Sequence, residues 1–112
     1  MESSNFRVDV EADERVLVLR LRGELDLATV PEVEELVDRN LDRRALVVDL
    51  RELSFMDSSG VRLVVELHDR HSETPVAFIP PGDRIGRLLD MTGVRSKLTW
   101  VSEPHEALRT VE

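Results

Sequence analysis

The segment that most constrains the fold is Ala45-Leu46-Val47-Val48-Asp49-Leu50, an almost unbroken apolar run of strand length. Runs of this kind belong to central strands covered on both faces. Arg51-Glu52-Leu53-Ser54-Phe55-Met56 follows, and then Asp57-Ser58-Ser59-Gly60, where Asp and Ser are the residues that open helices. The spacing predicts a helix starting within Asp57-Ser58-Ser59 and running to about His71. Val61, Val64, Val65 and His68 form one stripe, and Leu63 and Leu67 widen it. A buried strand that turns directly into an apolar helix is half of a β-α-β unit. It implies a largely parallel sheet with right-handed crossovers.

The flanking sequence completes that pattern. Phe6-Arg7-Val8-Asp9-Val10 alternates apolar and polar, as does Arg15 to Arg22 with Leu17, Leu19 and Leu21 on one face. Ala12-Asp13-Glu14 between them is short enough for a hairpin, which adds an antiparallel pair. Thr29 and Glu32 have capping-box spacing and Pro31 suits a first turn, so a helix carrying Val33, Leu36, Val37 and Leu41 is expected next. Glu34, Glu35, Asp38 and Asp42 fill much of its other face. Pro75 to Ile79 reads as a strand. Asp83 can cap a third helix holding Ile85, Leu88 and Leu89, with Gly93 placed to stop it. Leu98-Thr99-Trp100-Val101 reads as a last short strand, and Ser102 to Val111 as a closing helix with Pro104 in its first turn. The order is β-β-α-β-α-β-α-β-α. At 112 residues the whole chain, 1–112, is expected to form one α/β domain.

Composition narrows the function. The net charge of −8 argues against a nucleic-acid partner, which needs a basic face, and favours basic protein surfaces. No apolar run approaches the roughly 20 residues of a membrane helix, and Met1-Glu2-Ser3-Ser4 lacks a signal peptide's basic end, so a cytoplasmic location without membrane insertion is expected. There is no cysteine, which removes disulfides, thiol chemistry and zinc–thiolate sites. Fourteen of the 15 basic residues are arginine, Lys97 being the one lysine.

Asp57-Ser58-Ser59-Gly60 is the stretch with most chemical content, because ligand sites of such sheets lie beyond the carboxyl ends of the strands. Local sequence alone favours a simple cap there. A serine nucleophile is the next reading, but Met56 stands where a nucleophile elbow has glycine, and no histidine has a neighbourhood that marks it as a base. The chain has neither a P-loop nor a dinucleotide fingerprint. His68 and His71 have H-x-x-H spacing without further ligands, and His105 is expected to be solvated. An aspartyl phosphoacceptor among Asp49 and Asp57 fails, because Arg20-Leu21-Arg22 supplies no acidic pair. Trp100 is expected to pack at the core or edge.

Three stretches resemble the STAS domain family, specifically its stand-alone bacterial anti-sigma factor antagonists: Leu21-Arg22-Gly23-Glu24-Leu25-Asp26, Val48 through Gly60, and Leu88-Leu89-Asp90-Met91-Thr92-Gly93-Val94. Together they span most of the chain in the family's order. The resemblance implies a switch rather than an enzyme, with no cofactor or metal. It implies a partner that is an anti-sigma factor and a serine/threonine kinase, which phosphorylates Ser58 and so ends binding, and a PP2C-type phosphatase that resets it. Asp26, Asp57, Ser59, Gly60 and Arg62 would surround the phosphosite. Arg62 departs from the Gly, Leu or Val that the family often carries after D-S-S-G. Phosphate at a helix start meets a favourable dipole and an opposing Asp57, so phosphorylation is expected to act at the interface and leave the fold unchanged. Two other readings are a STAS subunit of another assembly, such as a lipid-transporting ABC system or a scaffold, and a small hydrolase built on Ser58.

Overall fold

The computed structural model describes residues 5–70 and 74–109. Four strands form one sheet in the order β1-β2-β3-β4: Phe6–Ala12, Val16–Leu25, Ala45–Met56 and Val76–Ile79. β1 and β2 are the antiparallel hairpin, while β2, β3 and β4 run parallel. Helices α1 (Val30–Asn40) and α2 (Ser58–Arg70) make the crossovers between them, and α3 (Asp83–Met91) follows β4. The expected end of α2 at His71 lies outside the described residues, as does Val111. Among the described residues, no helix is long and apolar enough to cross a membrane.

The apolar run of β3 is covered on both faces, as its composition requires. One face contributes Leu46, Val48 and Leu50 to the main core, with Leu17, Leu19 and Leu21 of β2, Phe78 of β4, and Val33, Val37, Leu63, Val64, Leu67 and Leu89 of the helices. The opposite face carries Val16, Val18, Ala45, Val47, Ala77 and Ile79 under Val101, Ala107 and Leu108. Beyond Asp49 the strand stops alternating. Leu50, Leu53 and Met56 are all buried in the main core although they are three residues apart. Two irregularities in the β2–β3 register, one between Arg20 and Arg22 and one between Gly23 and Glu24, each give β3 an extra residue. Each extra residue turns the next side chain back to the same face.

Past the aliphatic patch the second face is charged. Asp49 is buried there, and Arg51 donates to it from Nε at 3.0 Å and Nη2 at 2.8 Å, with Arg20 at 3.5 Å. Burial pushes the Asp49 carboxyl up, but the side-chain and backbone hydrogen bonds from Arg51 outweigh it and hold the group below its ordinary value. Asp49 is therefore a structural anchor, consistent with its rejection as a phosphoacceptor.

Three expectations are corrected. The fifth strand shrinks to a single bridge between Phe78 and Trp100, because β4 has only four residues to pair with. The closing helix is a short 3₁₀ segment, Pro104–Arg109, whose start is capped by Glu106 accepting from the N–H groups of Ser102 and Glu103. His105 is exposed, as expected, and also pairs with Asp13 of the β1–β2 turn at 2.8 Å, which ties this segment across the second face. Asp83 begins α3 without capping it, and Gly93 ends it at φ +75° as expected. Trp100 packs beside Phe78 with its indole N–H on the Arg95 carbonyl, as a core-edge residue.

A pH dependence follows. Hydrogen bonds from the N–H groups of Arg15 and Val16, and then from His105, lower Asp13 to about 2; Asp49 is lowered too. A carboxyl depressed by folding releases its proton more readily in the native state. The unfolded chain, with aspartate near 3.9, thus binds more protons between the two values. Stability is expected to be flat above about pH 5 and to fall as pH drops from about 4 toward 2. Urea midpoints followed by circular dichroism check this; a midpoint constant down to about pH 2.5 would contradict it.

Candidate functional site

The site is built where two parallel strands end together. Leu25 of β2 and Met56 of β3 are register partners, so Asp26 and Asp57 leave the sheet side by side. The Asp57 N–H donates back to the Leu25 carbonyl at 3.3 Å. Its side chain caps α2: Oδ1 accepts from the Ser59 N–H at 2.8 Å and the Gly60 N–H at 3.3 Å. Its carbonyl accepts from the Val61 N–H at 3.1 Å. Ser58 is thereby the first residue of α2, and it is exposed. Asp57 is the cap that local sequence suggested.

Gly60 seats the helix. It is buried, and a β carbon there would lie 2.6 Å from Met56 Cγ and 3.1 Å from the Leu25 carbonyl oxygen. Only glycine lets α2 start this close to the two strand ends.

Asp26 organises the neighbouring turn. Its Oδ1 accepts from the Ala28 and Thr29 N–H groups at 3.0 and 3.2 Å. Thr29, which the sequence suggested as a capping-box residue, makes no cap bond to α1. Instead it is buried, accepts from the Asp26 N–H at 2.9 Å and donates to the Glu24 carbonyl at 2.9 Å. It ties the end of β2 to the start of α1.

The structure thus brings Asp26, Asp57, Ser58, Ser59 and Gly60 to one end of the sheet. Arg62 stands one turn along α2, exposed, on a groove of about 300 Å³ between α1 and α2. Leu27, Val30 and Pro31 line the groove with Glu34 and Glu66. Sequence reasoning missed two residues at this end: Leu27 is 76% exposed and Phe55 is 47% exposed, each one or a few positions from the paired aspartates. No hydrogen bond joins Ser58 to a histidine among the described residues. Nor, among the described residues, do three histidine or acidic groups converge to hold a metal. His71 of the H-x-x-H pair lies outside them.

Comparison with known proteins gives a consistent picture. The model of the STAS domain matches residues 7–107. An anti-sigma-B factor antagonist of Staphylococcus aureus is 33% identical over 108 residues, covering 91% of this chain and 97% of that one. An anti-sigma F factor antagonist of Paenibacillus polymyxa is 34% identical over 97 residues, covering 80% and 81%. The crystal structure of an anti-sigma factor antagonist from Mycobacterium paratuberculosis superposes with a TM-score of 0.80 at 26% identity, over 95% of this chain and 93% of that one.

Proposed function

Since the chain belongs to the STAS domain family, we propose that it is a cytoplasmic anti-sigma factor antagonist, a regulatory binding protein rather than an enzyme. Its unmodified form binds an anti-sigma factor that is also a serine/threonine kinase, and so frees the sigma factor. The Ser58 hydroxyl oxygen then takes the γ-phosphoryl group of the kinase's ATP, ADP leaves, and the hydroxyl proton passes to solvent. The phosphorylated antagonist lets go, and a PP2C-type phosphatase restores it. The observation that carries this reading is the exposed Ser58 on a helix start capped by Asp57, with the exposed apolar Leu27 lining the groove beside Ser59 and Arg62. A partner packed there would have to desolvate a bulky dianion, a cost of several kcal/mol unless the partner itself brought a cation to it.

The test uses two baits in extract of the source cells, Ser58→Ala protein and protein carrying phosphoserine at position 58. The expected result is a small ATP-binding kinase retained by Ser58→Ala and lost from the phosphoserine bait. That kinase should place phosphate on wild-type Ser58 and leave Ser58→Ala unlabelled. Equal retention of one partner by both baits, or capture of a transporter subunit instead, would overturn the proposal in favour of a STAS subunit of another assembly.

A further inference from the structure

We propose that Arg62 is the internal counter-ion of phosphorylated Ser58, an inference that rests on the phosphoswitch above. Three of the backbone donors that a phosphate at this helix start could recruit are already committed. The Ser59 and Gly60 N–H groups go to Asp57 Oδ1, and the Val61 N–H goes to the Asp57 carbonyl. Asp57 and Asp26, which leave the same pair of strand ends, are acidic and offer no donor. Arg62 is the one cation between Ser58 and Leu67. It stands four residues after Ser58, the spacing at which side chains meet on a helix face, and with the anion on the N-terminal side, the better order.

Arg62 is also free to respond. It is exposed, and among the described residues it makes no ion pair or hydrogen bond. Two other carboxylates line its groove, Glu66 four residues further along α2 and Glu34 on α1. Neither is bonded to it. Glu66 lies in the less favourable order, and each is a monoanion, whereas phosphoserine approaches a dianion near neutral pH. A guanidinium can grip phosphate through two parallel hydrogen bonds. Phosphorylation therefore changes the surface at two places: it adds charge at Ser58 and draws Arg62 off the groove between α1 and α2.

The experiment installs phosphoserine at position 58 by genetic encoding, so that no kinase is required. The second ionisation of the phosphate is followed by ³¹P NMR from about pH 4 to pH 8. Its midpoint is expected about 0.3 units lower with Arg62 than in Arg62→Gln. Arg62→Lys should fall between them, and about 1 M salt should shrink the difference. Asp26, Asp57, Glu34 and Glu66 are present in every variant and cancel in the comparison. The Arg62 Nε–H resonance should move on phosphorylation. Coincident midpoints and an unmoved resonance would overturn the inference. Should the phosphoprotein lose its partner while the midpoints coincide, the switch stands and Arg62 falls. If the midpoints separate while the partner stays bound, the pairing stands and the switch falls.

Discussion

Gly60→Val is expected to destabilise the protein by about 1–3 kcal/mol and to abolish the phosphorylation of Ser58 proposed above. The first β-branch atom alone would stand 2.6 Å from Met56 Cγ, 3.1 Å from the Leu25 carbonyl oxygen and 3.2 Å from Leu25 Cδ2. Valine adds two methyl groups beyond it. Leu25 and Met56 immediately precede Asp26 and Asp57, so the helix can yield only by lifting its first turn away from the strand ends. That lift stretches the bonds from Ser59 and Gly60 to Asp57 and moves the serine. Urea denaturation reads the first effect, and intact mass after incubation with kinase and ATP reads the second. Gly82→Ala is the control: a β carbon there meets nothing within 4 Å, and the change should stay below about 1 kcal/mol. Wild-type stability with full phosphate uptake in Gly60→Val would show that α2 does not sit on Leu25.

Phe78→Ala is expected to cost about 3–5 kcal/mol, a large share of the roughly 5–15 kcal/mol that holds a domain folded. Phe78 is fully buried and is the largest side chain to be so. It joins the main core from β4, and its ring lies 6.0 Å from that of Trp100 at 56°. The chain has one tryptophan and no tyrosine, so intrinsic fluorescence reports directly on this neighbourhood. The urea midpoint by fluorescence should fall together with that by circular dichroism. Phe78→Leu keeps more of the volume and should cost less than half as much; equal losses for the two variants would mean that packing at Phe78 is not what stabilises β4.

The sequence carried the sheet and the place of the site because each rests on local, repeated signals. Leu17, Leu19 and Leu21 alternate and are buried together; the paired aspartates follow the two strands whose ends lie level. What stayed hidden depends on distant or competing groups. Val16 and Val18 are buried as well, since Ala107 and Leu108, some ninety positions later, cover them. Thr29 fits a capping box, yet its hydroxyl is taken by the Asp26 N–H and the Glu24 carbonyl, and a local pattern does not show that a side chain is engaged behind the helix rather than in it. Phe55 emerges at the surface through register shifts in β3 that no short motif announces.

The second face of the sheet has a consequence for the integrity of the chain. Val16, Val18, Ala45, Val47, Ala77 and Ile79 are kept from water by a few residues around one 3₁₀ segment, fastened in part by an exposed imidazole–carboxylate contact. A proteolytic nick ahead of Pro104 would leave the Ser58 end of the molecule intact and strip the cover from a contiguous aliphatic patch. Patches of that kind drive self-association. The trimmed protein would then be lost by precipitation rather than by any change at its Ser58 end.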